Sequence, residues 1–199
     1  MKSIGITGGV GSGKSAVVDY LRDHYGAYCI KADEAVHILE EPGQPCYNML
    51  LKTFGEGILL KDGRLDKKSF ASLIFSDEEA RKKANSILHP AVKDYIRLKL
   101  DEKKKDGTEY FILEAALLIE EGYDEILDEL WYVYVPEDIR RSRLKESRGY
   151  SDEKIDDIFA SQLSEEEFKN NCRRVIDNSG SIYTTMKQID RILKNEKKD

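Results

Sequence analysis

The chain has 199 residues, 40% of them hydrophobic and 35% charged, with a formal charge of −6, which suits one substantial core with room for a helical insertion. No apolar run approaches the roughly 20 residues of a membrane span, no secretory leader pattern opens the chain, and the acidic balance argues against a general nucleic-acid binder. The expectation is a cytoplasmic protein, monomeric or weakly homo-oligomeric, that engages neither membrane nor nucleic acid. Cys29, Cys46 and Cys172 lack C-x-x-C spacing and read as free buried thiols, and His24, His37 and His89 do not cluster near them, which argues against a zinc site.

In chain order, Lys2 to Ile6 reads as a short buried strand, and Gly8-Gly9-Val10-Gly11-Ser12-Gly13-Lys14-Ser15 follows it, matching the phosphate-cradling pattern G-x-x-x-x-G-K-[ST]. Glycines let successive backbone N–H groups turn inward on a phosphate, and the helix that follows, Lys14 to His24 with Val17, Val18 and Leu21 on one face, adds its positive N-terminal end. Lys14 would then reach the β- and γ-phosphates of a nucleoside triphosphate, and the Ser15 hydroxyl would serve Mg²⁺.

Ala27 to Lys31 reads as a second strand, with Asp33 just beyond it. Asp33 fits either a helix N-cap before Glu34-Ala35-Val36 or a group that orients an acceptor hydroxyl, and the two roles are compatible. From Asp33 to Gly107 the pattern is helical, with a tight turn at Asp62-Gly63, a capping box at Ser76-Asp77-Glu78-Glu79 and Pro90 as the first residue of a helix. Strands at Tyr110 to Glu114, Leu130 to Val135 and Arg173 to Asp177 complete an alternation that predicts a parallel sheet of five strands with helices on both sides. Its ligands would lie beyond the carboxyl ends of the strands. A helical stretch from Glu137 to about Cys172, with a second capping box at Ser164 to Glu167, carries Arg140, Arg141, Arg143, Lys145 and Arg148, the densest positive charge available to a polyanion. Lys103 to Lys105 and the tail at Lys197 and Lys198 read as solvated helix ends. Glu114, ending its strand, fits either a holder of metal-bound water or a carboxylate satisfied by a backbone N–H.

A GTPase reading fails because Asp177-Asn178-Ser179-Gly180 follows the last strand and N-K-x-D is absent. Phosphoryl transfer to a small molecule fits better. It requires a group on the acceptor hydroxyl, positive charge on the moving phosphoryl and a cover against water, which Asp33 and the arginine-bearing helices could supply.

The chain also resembles the bacterial dephospho-CoA kinases, through Thr7 to Ser15, Ala32-Asp33-Glu34, Glu41-Pro42-Gly43, Phe54-Gly55, Asp62-Gly63-Arg64-Leu65-Asp66, Ile87-Leu88-His89-Pro90, Leu117-Leu118-Ile119-Glu120, Gln162 and Val175 to Gly180. The resemblance implies transfer of the ATP γ-phosphate to the ribose 3′-hydroxyl of dephospho-CoA, the last step of coenzyme A synthesis. It implies a three-layer P-loop NTPase fold with a core of residues 1–33, 108–136 and 173–199, an acceptor-binding helical insertion at 34–107 and a helical lid at 137–172. Asp33, Lys14, Arg143 and Arg148 would be catalytic. Gly9, Gly11, Ser12, Gly13, Lys14, Ser15, Ala16 and Asn178 would bind ATP, with Ser15 on Mg²⁺ and the Asn178 to Gly180 loop near the adenine.

Some positions depart from the family pattern. Ala16 stands where threonine is common, Lys31 and Lys67 replace an acidic residue and an arginine, Ala116 replaces a proline, and Ile158 stands where the family often has arginine. Counting back from Gln162, Arg143 meets one family arginine but the next falls on Ser147. Either Arg148 substitutes through a helix irregularity or one lid charge is missing. His89 before Pro90 reads as a packing or capping group at a helix start, or as part of the acceptor site. A kinase for another small nucleotide or alcohol, and a nucleotide-binding homologue that has lost catalysis, remain the alternative functions.

Overall fold

In the computed structural model, which describes residues 1–196, the apolar run at the N-terminus forms strand β1 (Lys2–Thr7), with Ile4 and Ile6 fully buried. Helix α1 (Lys14–Tyr25) follows the glycine-rich loop, then β2 (Tyr28–Lys31), α2 (Ala32–Leu39), α3 (Pro45–Phe54), α4 (Lys67–Ser76) and α5 (Glu78–Lys105). The chain returns to the sheet in β3 (Tyr110–Glu114) and β4 (Glu129–Tyr134), runs through α6 (Glu137–Arg148), α7 (Asp152–Ala160) and α8 (Glu165–Asn171), and ends with β5 (Arg174–Asp177) and α9 (Ile182–Glu196).

The five strands stand in the order β2-β3-β1-β4-β5. β1 pairs in parallel with β3 and β4, and β4 with β5, as the alternation of strand and helix predicts. Parallel strands need helical crossovers, which cover the sheet faces and explain why Ile4, Ile6, Ile112, Trp131 and Val133 are fully buried. Val17, Val18 and Leu21 of α1 and Ile189 and Leu193 of α9 pack into the same core, each contributing about 1.5–3 kcal/mol by leaving water. Asp190 ties α9 to α1, accepting the hydroxyls of Tyr20 at 2.7 Å and Tyr25 at 2.6 Å. These hydrogen bonds hold its carboxyl below the usual range, while burial pushes the Tyr20 hydroxyl up to about 12.

The chain divides into two compact units, Met1–Cys29 with Lys103–Asp199, and Ile30–Glu102. The second is helical around Cys46, Leu50, Ile58, Leu65, Phe70, Ala84, Ile87 and Leu88. Its turn at Asp62-Gly63 forms as expected, with the Leu60 N–H donating to the Arg64 carbonyl at 2.8 Å and Gly63 at φ 81°. Two local expectations are corrected here. Asp77 caps α5 in place of Ser76, its carboxylate accepting from the Glu79 N–H at 2.8 Å and the Ala80 N–H at 3.1 Å, while Ser76 ends α4. Pro90 opens no helix but lies inside α5, so His89 does not stand at a helix start. Burial of Ala84, Ile87, Leu88, Val92 and Ile96 along α5 outweighs the loss of one backbone donor at the proline.

The capping box at Ser164 forms, with the Ser164 hydroxyl accepting from the Glu167 N–H at 3.2 Å. All three cysteines are free thiols, Cys46 and Cys172 buried and Cys29 partly so. No helix among the described residues is long and apolar enough to cross a membrane. Lys197 and Lys198 lie outside the described residues.

Candidate active site

The strand–loop–helix context of the glycine-rich run places Gly8 to Ser15 at the carboxyl end of β1 and the N-terminus of α1. Gly13, at φ 83°, takes the left-handed conformation that a side chain disfavours, and a Cβ there would also collide with the Asn178 carboxamide. Gly9 lies against the Arg140 guanidinium, which a Cβ there would have to displace. Lys14 folds its ammonium onto the loop, donating to the Gly8 carbonyl at 2.7 Å and the Gly9 carbonyl at 3.3 Å. Ser12 is 1% exposed and its hydroxyl is buried with no hydrogen-bond partner. A buried hydroxyl in that state costs free energy that a phosphate oxygen would relieve.

The remaining loop positions play lesser parts. Gly11 packs under α6, its Cβ position lying 3.2 Å from the Arg140 carbonyl oxygen and from Leu144 Cγ. Ala16 has no polar side chain, and its backbone N–H donates to the Gly13 carbonyl at 3.1 Å.

Ser15 and Glu114 come together from the start of α1 and the end of β3, the hydroxyl donating to Glu114 Oε1 at 3.2 Å. A hydroxyl and a carboxylate suit a hard divalent cation that keeps several waters, so these residues fit Mg²⁺. Bound there, the ion would neutralise phosphate charge.

Asn178 reaches the loop from the end of β5. Its amide Nδ2 donates to the Ser12 carbonyl at 2.8 Å, and its Oδ1 accepts the Thr185 hydroxyl at 2.9 Å. With 6% exposure its side chain is engaged in holding the loop. The Asn178 carbonyl in turn accepts Arg143 Nη2 at 2.9 Å, which sets that guanidinium 3.8 Å from the Cβ position of Gly13.

The basic run of α6 divides by face. Arg141 is paired with Asp152 at 3.1 Å, Asp156 at 2.5 Å and Glu137 at 3.4 Å, and Lys145 with Asp152 at 2.7 Å. Arg140 and Arg143 turn the other way, onto the loop. Arg148 joins neither set. α6 is regular to its last residue, Arg148, and closes on Gly149 in the left-handed conformation, so no irregularity carries Arg148 round. At 100° per residue it lies about 140° around the helix from Arg143, exposed, with its guanidinium 5.9 Å from the Tyr150 ring centre. The expected lid role of Arg148 thus loses its geometric basis. Sequence reasoning ranks Arg143 and Arg148 first in this run and keeps Arg140 as the substitute should Arg148 not serve. The available signal was spacing, because Arg140 precedes Arg143 by three residues and shares its helix face.

Asp33 belongs to the second unit. It is not an N-cap: α2 begins at Ala32 with Lys31 in the cap position, and Asp33 is the second helical residue. Its side chain is exposed and takes no hydrogen bond or ion pair among the described residues.

A family model described as dephospho-CoA kinase matches residues 2–184. A dephospho-CoA kinase of Carboxydothermus hydrogenoformans is 40% identical over 195 residues, 98% of this chain and 94% of that one. One of Aquifex aeolicus is 38% identical over 199 residues, 100% of both chains. Among solved structures, a Thermus thermophilus protein matches with a TM-score of 0.79 at 30% identity, covering 98% of this chain and 97% of that one. A dephospho-CoA kinase from Campylobacter jejuni shares the fold, with a TM-score of 0.73 at 23% identity over 98% of this chain and 100% of the other. Sequence matches that run nearly end to end, to relatives of the same length, mean that this chain belongs to the dephospho-CoA kinase family.

Proposed function

We propose that the chain transfers the γ-phosphoryl group of ATP to the ribose 3′-hydroxyl of dephospho-CoA, releasing ADP and coenzyme A. The observation that carries this reading is the phosphate loop under an arginine-bearing helix in a chain of this family. Phosphoryl transfer needs positioning and charge more than covalent help from the protein. Backbone N–H groups of Gly9 to Lys14 and the N-terminus of α1 hold the phosphates, the Ser12 hydroxyl donates to a phosphate oxygen, and Lys14 exchanges its loop carbonyls for the β- and γ-phosphates. Ser15 and Glu114 would hold Mg²⁺, which would supply charge neutralisation on the phosphates. Arg143 balances charge on the phosphates from α6.

Asp33 accepts the proton of the attacking hydroxyl, or orients it when the proton leaves late. Its lack of any partner supports this assignment, since a carboxylate bound up in the fold would be a poor base. The helical unit Ile30–Glu102 binds the acceptor, and residues 137–172 serve as the lid.

An acceptor panel with ATP and Mg²⁺ tests the reading. ADP release should depend on dephospho-CoA and exceed that with AMP, CMP or shikimate. Faster turnover of any of those three transfers the assignment to that acceptor, and tight ATP binding with no turnover of any acceptor means a nucleotide-binding protein without catalysis.

A further inference from the structure

The resemblance to dephospho-CoA kinases implies an arginine at the place where this chain has Ser147. The Ser147 hydroxyl turns back to its own helix, donating to the Arg143 carbonyl at 2.5 Å, and Arg148 points elsewhere. Arg140 lies seven residues before Ser147, two turns back on the same regular helix, and within about 20° of the same direction. We infer that Arg140 supplies the cation that Ser147 does not, and contacts the triphosphate of the nucleotide at the Gly9 end of the loop.

The surroundings of Arg140 point the same way. Its guanidinium lies against Gly9, where a Cβ would collide with it, and the Gly9 carbonyl is one of the two that receive the Lys14 ammonium. Arg140 and Lys14 therefore meet at the same end of the loop, while Arg143 lies at the other, against Gly13 and the Asn178 carbonyl.

The partners of Arg140 are all neutral. Nη1 donates to Gln162 Oε1 at 3.1 Å, that oxygen also receives the Val10 N–H at 3.3 Å, and the guanidinium lies 4.2 Å from the centre of the Phe159 ring. No carboxylate pairs with it among the described residues, in contrast to Arg141, which has three. The group is half-buried, and desolvation lowers its pKa from the ordinary value, yet a guanidinium stays charged at any physiological pH. The result is a cation fixed in direction by a side-chain amide and an aromatic face beside a phosphate loop, with Glu137 and Glu165 acting on it only from beyond ion-pair distance. Such a group suits a polyanion better than a structural ion pair. Gln162 and Phe159 of the α7 region are positioning residues, acting through the orientation of Arg140.

This inference rests on the nucleotide reading of the loop, and the test separates the two. Arg140→Gln and Arg140→Lys both keep a hydrogen-bonding side chain at a half-buried position, so both should fold; melting temperature checks this. For Arg140→Gln, kcat/KM for ATP should fall about 10²- to 10³-fold, with weaker binding of a fluorescent ATP analogue, while Arg140→Lys retains more of both. Arg148→Ala should stay within about twofold of wild type, and adding Ser147→Arg to Arg140→Gln should recover at least about tenfold, because it returns a cation to the same helix direction. A folded Arg140→Gln with wild-type kinetics and nucleotide affinity overturns the inference, and so does a loss in Arg148→Ala as large as in Arg140→Gln. If wild type releases no ADP with dephospho-CoA, the acceptor reading fails, and the ratio of nucleotide affinities between Arg140→Gln and wild type still decides the role of Arg140.

Discussion

The two faces of α6 carry the same kind of side chain and use it differently. Arg141 and Lys145 face α7, where Asp152 and Asp156 compensate them and staple the helices together. Arg140 and Arg143, on the loop side, are held by the Gln162 side-chain oxygen and the Asn178 carbonyl, neutral acceptors that fix direction without cancelling charge. The lesson is that the partner of a charged group, more than its identity, separates a structural charge from one kept for a ligand. Two aspartates repeat the contrast. Asp190 is saturated by two tyrosine hydroxyls, whereas Asp33 is exposed with no partner among the described residues.

Open charges should therefore control rate, and committed ones stability. The strongest way to break the comparison is Asp33→Asn, which should lower kcat by about 10²- to 10⁴-fold with ATP affinity and melting temperature nearly unchanged. Near-normal kcat in that variant would remove Asp33 from the chemistry. Next in size, Arg143→Ala should lose about 10³-fold in kcat/KM for ATP, read by steady-state kinetics, again without a matching loss of stability.

Asp190→Asn should do the reverse, costing about 1–2 kcal/mol in denaturant unfolding with kcat/KM unaltered. The pH profile sharpens this. Because the Asp190 carboxyl is held below its usual range, chiefly by the hydrogen bond from Tyr25, its stabilisation is present above the unfolded carboxylate value of about 3.9 and is lost as pH falls below it. The Tyr20 hydroxyl, raised to about 12 chiefly by burial, acts at the other end: its contribution is full below the unfolded value and is lost as pH climbs from about 10. Asp190→Asn should flatten the acid limb of the stability curve, and an unchanged limb would show that another carboxylate sets it. The smallest effect is expected for Arg141→Ala, a lower melting temperature by less than in Asp190→Asn and kinetics within about twofold of wild type. A rate loss there comparable to that of Arg143→Ala would erase the distinction between the faces.

What could be read from the sequence was local. The loop from Gly8 to Ser15 is a run of neighbours whose geometry follows from glycine placement, and the five strands announced themselves as short apolar runs between helical patterns. What escaped needed distant partners. Arg140 and Arg141 are adjacent in sequence, and only the return of α7 brings Gln162 to one and Asp152 and Asp156 to the other. Asn178 read as a nucleotide contact, and the hydrogen bonds of its side chain with Ser12 and Thr185 were not legible from its neighbours in the chain. Pro90 read as a helix start because its local effect is to break one, and the apolar stripe of α5 prevailed. Asp33 read as a possible cap because aspartate favours that position, yet α2 starts two residues earlier than the cap reading requires.

The most direct test of the account is the identity of the product formed by the wild-type protein from ATP and dephospho-CoA. Phosphorus NMR and mass spectrometry should find one new phosphomonoester on the ribose 3′-oxygen for each ADP released. ADP formed without that phosphomonoester, or a phosphate carried at another position, would contradict it.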